Sequence, residues 1–166
     1  LIAISQAKRQ VLMETYIFAD DEVGRCFAKL LIERAKLGVE VRLLVDALGS
    51  VFQFYRSMGP MLEQAGVQLR HFHRWQWQQP FLYNRRDHRK LLVIDSEKAF
   101  LGGFNIHRQS SKRHFGATRW RDTHTSFRGE LAKQAGELFD AFWRGDKHWL
   151  PLEDASASSV LVPNQS

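Results

Sequence analysis

The sequence predicts an α/β fold: an α-β-α sandwich with a mixed, largely parallel sheet and helices on both faces. Three observations predict it. Two apolar runs, QVLMETYIF (10–18) and VEVRLLVDA (39–47), flank a segment of helical periodicity. That strand–helix–strand order makes a parallel pair. A second helical region and a third run, VQLRHF (67–72), repeat it. The chain has 166 residues, 44% hydrophobic and 25% charged, enough for one sizeable core.

Each element has a local reason. The first strand is rich in β-branched and aromatic residues. Asp20 or Asp21 can cap the helix that follows. Val23, Cys26, Phe27, Leu30, Leu31 and Ala35 are expected on its inner face, with Gly38 as its stop. After Ser50 a helical region is interrupted at Gly59-Pro60 and ends at Ala65-Gly66. A loop rich in Trp, Phe and Tyr (73–86) leads to two strands, HRKLLVID (88–95) and KAFLGGFN (98–105), which read as a hairpin turned at Ser96-Glu97. DTHTSFRG (122–129) alternates and reads as a strand. Residues 130–143 form an amphipathic helix with Leu131, Leu138, Phe139 and Phe142 inward. The Ser/Ala-rich tail, 151–166, reads as a linker.

The net charge is +6 and the pI about 9.8. An anionic partner follows: nucleic acid, an anionic membrane surface or a phosphate-bearing substrate. One cysteine excludes a disulfide framework and a cysteine-rich zinc site. No apolar run reaches membrane-spanning length. The start, Leu1-Ile2-Ala3-Ile4, has no initiator Met or signal-peptide layout and begins as if partway through a helix. A longer protein is therefore expected, with any membrane anchor outside this segment.

The chemistry gathers at DHRKLLVID (87–95). On a strand, His88 and Lys90 point the same way, with Leu92 and Ile94 continuing that face. Asp95 has the opposite parity and suits the turn or a neighbouring strand. A lysine entering an apolar face is costly unless an anion meets it. Gly102-Gly103 allows close approach of a ligand or another strand, and Asn105 adds an amide at the hairpin's entry end. Imidazole, ammonium and amide together suit a phosphate: Lys90 supplies charge, Asn105 a hydrogen bond, and His88 a nucleophile or proton shuttle.

His88-x-Lys90, four residues, Asp95, six residues, then Gly102-Gly103-x-Asn105 resembles the HKD motif of the phospholipase D superfamily. LLIERAKLGVEVRLLVDALGS (30–50) and RWRDTH (119–124) are similar to the flanks of that motif in bacterial cardiolipin synthases. The resemblance covers residues from about 9 to 150. It implies that residues 1–150 form a phospholipase D-like catalytic half-domain resembling the N-terminal half of a cardiolipin synthase-type phosphatidyltransferase. Its catalytic residues would be His88, Lys90, Asp95, Asn105 and Asp122, and Lys90, Asn105 and Gly103 would hold the substrate phosphate. Asp122 would match the acid that holds the histidine's other ring nitrogen. The implied chemistry is phosphatidyl transfer through a phosphohistidine, with no metal and no cofactor.

Such enzymes use two HKD motifs, one histidine as nucleophile and one as general acid. His71, His73, His107, His114, His124 and His148 lack a matching lysine and aspartate. A second HKD half of the same protein, or a homodimer partner, is therefore expected. The other implied partners are an anionic phospholipid and the cytoplasmic membrane surface of a bacterium. A phosphodiesterase or nuclease acting as a homodimer on nucleic acid is the alternative, and a catalytically inert half is a third reading. The aromatic loop, Trp75 to Tyr83, suits lipid headgroups, stacking on single-stranded nucleic acid, or packing on its own core. The basic stretches NRRDHRK and HRQSSKRHFGATRWR would attract anionic lipid or a phosphate backbone with equal ease.

Overall fold

The computed structural model describes residues 1–46, 54–72 and 88–145. The aromatic loop, Ser50, His73, Asp87, His148 and the 151–166 tail lie outside these residues. Six strands form one sheet: β1 (Gln10–Thr15), β2 (Glu40–Asp46), β3 (Gln68–Phe72), β4 (Leu91–Ile94), β5 (Lys98–Gly102) and β6 (His124–Arg128). Their spatial order is β3-β2-β1-β4-β5-β6. The helices are α1 (Ile2–Ser5), α2 (Glu22–Lys36), α3 (Gly59–Gln64), α4 (Lys112–Phe115) and α5 (Glu130–Arg144).

The expected mixed sheet and α/β sandwich are present, but the sheet is not largely parallel. β1, β2 and β3 are parallel, whereas β1–β4, β4–β5 and β5–β6 are antiparallel. After β3 the chain returns to pair β4 with β1, so a parallel half and an antiparallel half meet at the two central strands.

Strand parity sorts the core into two layers. Val11, Met13, Val41, Leu43, Val45 and Ile94 pack with Ala28 and Leu31 of α2 and Leu62 of α3. Leu12, Leu44, Leu91, Val93 and Ala99 pack with Ala132, Ala135 and Phe139 of α5. Leu138 is buried as expected, while Leu131 and Phe142 are half-buried. Small residues let α5 lie close to the strands.

Asp21 caps α2 by accepting from the N–H groups of Val23 (3.0 Å) and Gly24 (2.9 Å). The inner face of that helix is Gly24, Ala28 and Leu31, and Cys26 is exposed rather than a core residue. Gly24 sets this rotation: a β-carbon there would lie 1.8 Å from the carbonyl oxygen of Ala19. The helix approaches most closely at Gly24, and Cys26, two residues on, faces away. Gly59-Pro60 does not break the second helical region. A π-helical turn, Phe54–Met58, runs into α3, and the proline sits in the first turn of α3, where its missing N–H costs little.

The hairpin turns one residue earlier than expected. Asp95 and Ser96 both have left-handed φ, 54° and 57°, and the N–H of Glu97 donates to the carbonyl of Ile94 at 3.0 Å.

Candidate active site

The candidate site forms where the C-terminal end of β1 meets the N-terminal end of β4. Beyond Thr15 the chain continues beside the segment after β5. The N–H of Ile106 donates to Ile17 O at 3.0 Å, that of Ala19 to Ile106 O at 2.9 Å, and Phe18 bridges Ile106 in parallel. This fixes residues 16–19 as the wall of the site.

His88 and Lys90 precede β4 rather than lying within it, although Gly102 N–H still reaches Lys90 O at 3.3 Å. Both side chains meet Tyr16. The His88 ring centroid is 5.0 Å from that of Tyr16, and Lys90 Nζ stands 5.2 Å from the same ring. Lys90 is 3% exposed and its Nζ donates to the carbonyl of His88, whereas His88 is exposed. Arg89, between them, points the other way and pairs with buried Glu14 of β1.

Asn105 joins the same wall. Its Oδ1 accepts from Ile17 N–H at 3.2 Å, so its amide N–H₂ is the end left for a ligand. It lines two concavities. One, about 1060 Å³, is a groove on the α2 side of the sheet lined by Met13, Phe27, Lys90, Leu92 and Phe100. The other, about 360 Å³, is lined by Gly103, His107, Ser110, Trp120 and Asp122. His124, also on the groove, stacks on Phe104 with ring centroids 5.7 Å apart. Partial burial holds its pKa below the ordinary imidazole value, against the opposing charge of Asp122.

The structure separates the remaining sequence candidates. Asp95 sits at the opposite end of β4 from Lys90. Its carboxylate accepts from the N–H groups of Lys8 (3.0 Å), Arg9 (2.7 Å) and Gln10 (2.9 Å). Of the two roles expected of Gly102-Gly103, close approach of a ligand or of another strand, the second is seen: the N–H of Gly103 donates to Thr123 O at 3.0 Å. A β-carbon on Gly103 would lie 2.0 Å from Asp122 Oδ2, so the glycine makes room for that carboxylate. Gly102 does the same for β6, where a β-carbon would lie 2.6 Å from the Cα of His124. Asp122 accepts from Thr123 N–H at 2.7 Å and shares no hydrogen bond with His88. His71 lies in β3.

Glu14, Tyr16, Arg89 and His107 were not singled out as site residues by sequence reasoning. A glutamate inside an apolar strand was the available signal for Glu14, and a histidine two residues after Asn105 was the signal for His107.

This fold and cluster define a phospholipase D-like domain. Residues 1–143 match the family model described as "Cardiolipin synthase, PLD-like domain", and the chain belongs to that family. It is 40% identical over 127 residues to a cardiolipin synthase of Clostridium perfringens, covering 76% of this chain and 26% of that protein. It is 37% identical over 150 residues to cardiolipin synthase A of Pseudomonas aeruginosa, covering 90% of this chain and 30% of that one. The chain thus spans roughly a quarter to a third of these relatives. Its fold is similar to the crystal structure of Nuc, a phospholipase D family member from Salmonella typhimurium (TM-score 0.61, 20% identity, 86% of this chain and 81% of that one).

Proposed function

We propose that this chain supplies one half of the active site of a cardiolipin synthase-type phosphatidyltransferase. The observation that carries the reading is buried Lys90 beside Asn105 at one end of an apolar groove, in a chain 40% identical to a cardiolipin synthase. Lys90 and the Asn105 amide hold the non-bridging oxygens of a phosphodiester, and His88 reaches phosphorus or the departing oxygen. Asp95 and Gly103 support these groups through the framework, and Asp122 faces the alcohol side.

The missing histidine comes from a second HKD half, in the same protein or in a second copy. The groove along Leu92 and Phe100 leads to Lys90 and is the seat for that half. One histidine attacks phosphorus as the bond to the first alcohol breaks, and the other histidine protonates that alcohol. The acceptor hydroxyl then attacks the phosphohistidine, passes its proton to the second histidine and frees the first. Enzymes that speed such reactions lower the barrier by about 8–23 kcal/mol, so a charge clamp and two proton-handling groups are both needed.

The substrate is an anionic phospholipid, met at the cytoplasmic membrane of a bacterium. Exposed Arg108, Lys112, Arg113 and Arg121 lie in the segment leading to Asp122, with Trp120 63% exposed among them. This composition suits an anionic lipid surface. Among the described residues, no helix is long and apolar enough to cross a membrane.

The test uses the full-length protein with phosphatidylglycerol vesicles and, separately, single-stranded DNA, beside His88→Ala. A diphosphatidyl lipid absent with His88→Ala is the expected result. DNA cleavage lost in the variant, with lipid untouched, would replace this reading with a nuclease.

A further inference from the structure

His88 and Lys90 both precede β4, so the strand ladder does not fix their side chains. What the two share is the ring of Tyr16. The exposed His88 imidazole packs on it with centroids 5.0 Å apart and planes tilted by 54°. Lys90 Nζ stands 5.2 Å from the same centroid while donating to the His88 carbonyl. An ammonium within about 6 Å of a ring face is attracted by its electrons, and tilted ring pairs at about 4.5–7 Å are favourable. One side chain thus bears on the reacting group and on the cation at once.

The backbone makes that ring a fixed reference. Strand alternation would carry Tyr16 to the α5 face with Leu12 and Glu14. Instead β1 ends at Thr15 and the chain bends at Tyr16. The bend is held on its far side. Ile17 O accepts from Thr15 Oγ1 and from Ile106 N–H, each at 3.0 Å. Phe18 is fully buried and packs on Phe54 with centroids 5.2 Å apart. The same segment orients the amide, because Ile17 N–H donates to Asn105 Oδ1. A tyrosine has two side-chain torsions, so its ring is held at little cost in entropy.

We infer that Tyr16 is a positioning residue for phosphatidyl transfer: its ring sets the His88 imidazole and the Lys90 ammonium at a fixed separation, in register with Asn105. The inference rests on the phosphatidyl-transfer reading. Tyr16 acts through its two neighbours, by the faces and edge of the ring rather than by its hydroxyl. A flexible aliphatic chain in its place leaves every reacting group present but loosely placed. A misplacement of about 1 Å can cost about 100-fold in rate.

The experiment gives full-length protein phosphatidylglycerol vesicles and follows diphosphatidyl lipid by mass spectrometry over a range of lipid concentrations. Tyr16→Leu removes the ring, and Tyr16→Phe removes only the hydroxyl. Tyr16→Leu is expected to lower kcat about 100-fold with KM little changed. Tyr16→Phe restores most of that loss. Urea midpoints measured on each variant report folding, and if Tyr16→Leu fails to fold, Tyr16→Met decides by the same criteria. A kcat kept without the ring overturns the positioning role. So does a Tyr16→Phe variant as slow as Tyr16→Leu, or a loss carried by KM alone. A wild type that makes no diphosphatidyl lipid overturns the phosphatidyl-transfer reading itself and the role of Tyr16 with it.

Discussion

Arg89 reaches across the central strands to Glu14. Its Nη2 is 2.8 Å and its Nε 3.0 Å from Glu14 Oε1. The guanidinium also lies over the Phe142 ring of α5, 3.2 Å from its centroid. The residue between His88 and Lys90 is therefore an anchor on the opposite face. Strand parity does the rest: with Arg89 fixed towards α5, its two neighbours face the site.

Breaking that anchor takes a cationic partner from a buried carboxylate, since the Glu14 side chain is 2% exposed. Removing one partner of a buried pair typically costs about 3–5 kcal/mol. Arg89→Ala is expected to lower stability on that scale in urea unfolding of the full-length protein, with Glu14→Gln milder. A loss below about 0.5 kcal/mol, the usual size of a surface change, would show that the pair does not hold the strand.

Lys90 separates stability from chemistry. Lys90→Met keeps an unbranched chain in the same slot and removes the charge. Lipid transfer is expected to fall about 10²–10³-fold, the usual cost of deleting a transition-state charge contact. The melting temperature, measured beside it, tells a loss of chemistry from a loss of fold. Retained transfer would exclude Lys90 from the phosphate clamp.

Asp95 makes stability depend on acid. Burial pushes its carboxyl up, but the N–H groups of Gln10, Lys8 and Arg9 and the Arg9 charge together hold the pKa below the usual carboxylate range. A lowered folded pKa gives stability that is present above the unfolded pKa, about 3.9, and lost as pH falls through the folded value. Urea midpoints measured from pH 6 down to pH 2.5 should show that loss in the wild type. Asp95→Asn should be less stable at pH 6 and flatter below pH 4. Parallel curves would remove Asp95 from the acid response.

Gly103→Ala tests the space beneath Asp122. Overpacking costs about 1–3 kcal/mol, and here the carboxylate of Asp122 is what must move. The variant should lose transfer activity more than stability, measured as kcat beside the urea midpoint. An unaltered kcat would mean that the position of Asp122 does not matter to turnover.

Phe100→Asp addresses the groove. A charge there should weaken the seating of the second half and increase dye binding to exposed apolar surface in the full-length protein. Unchanged dye binding and transfer would place the second half elsewhere.

Chemistry at fixed spacing picked out three residues that the structure brings together: His88, Lys90 and Asn105 all lie around the Tyr16–Ile17 wall. The three parallel strands were legible because each βαβ unit is local. The placement of β4 beside β1 was not, because no local pattern says to which edge a returning chain docks. Nor was the rotation of α2, which a single close contact at Gly24 decides over the apolar pattern. Glu14 was hidden because its partner lies 75 residues away.

The exposed thiol of Cys26 has a practical use. It is the sole cysteine of this chain, and its neighbour Phe27 lines the groove. If a second half seats in that groove, as proposed, a fluorophore attached there would sit beside its approach and away from Lys90 and Asn105. It makes α2 a vantage point from which assembly of the catalytic centre could be timed, separately from turnover.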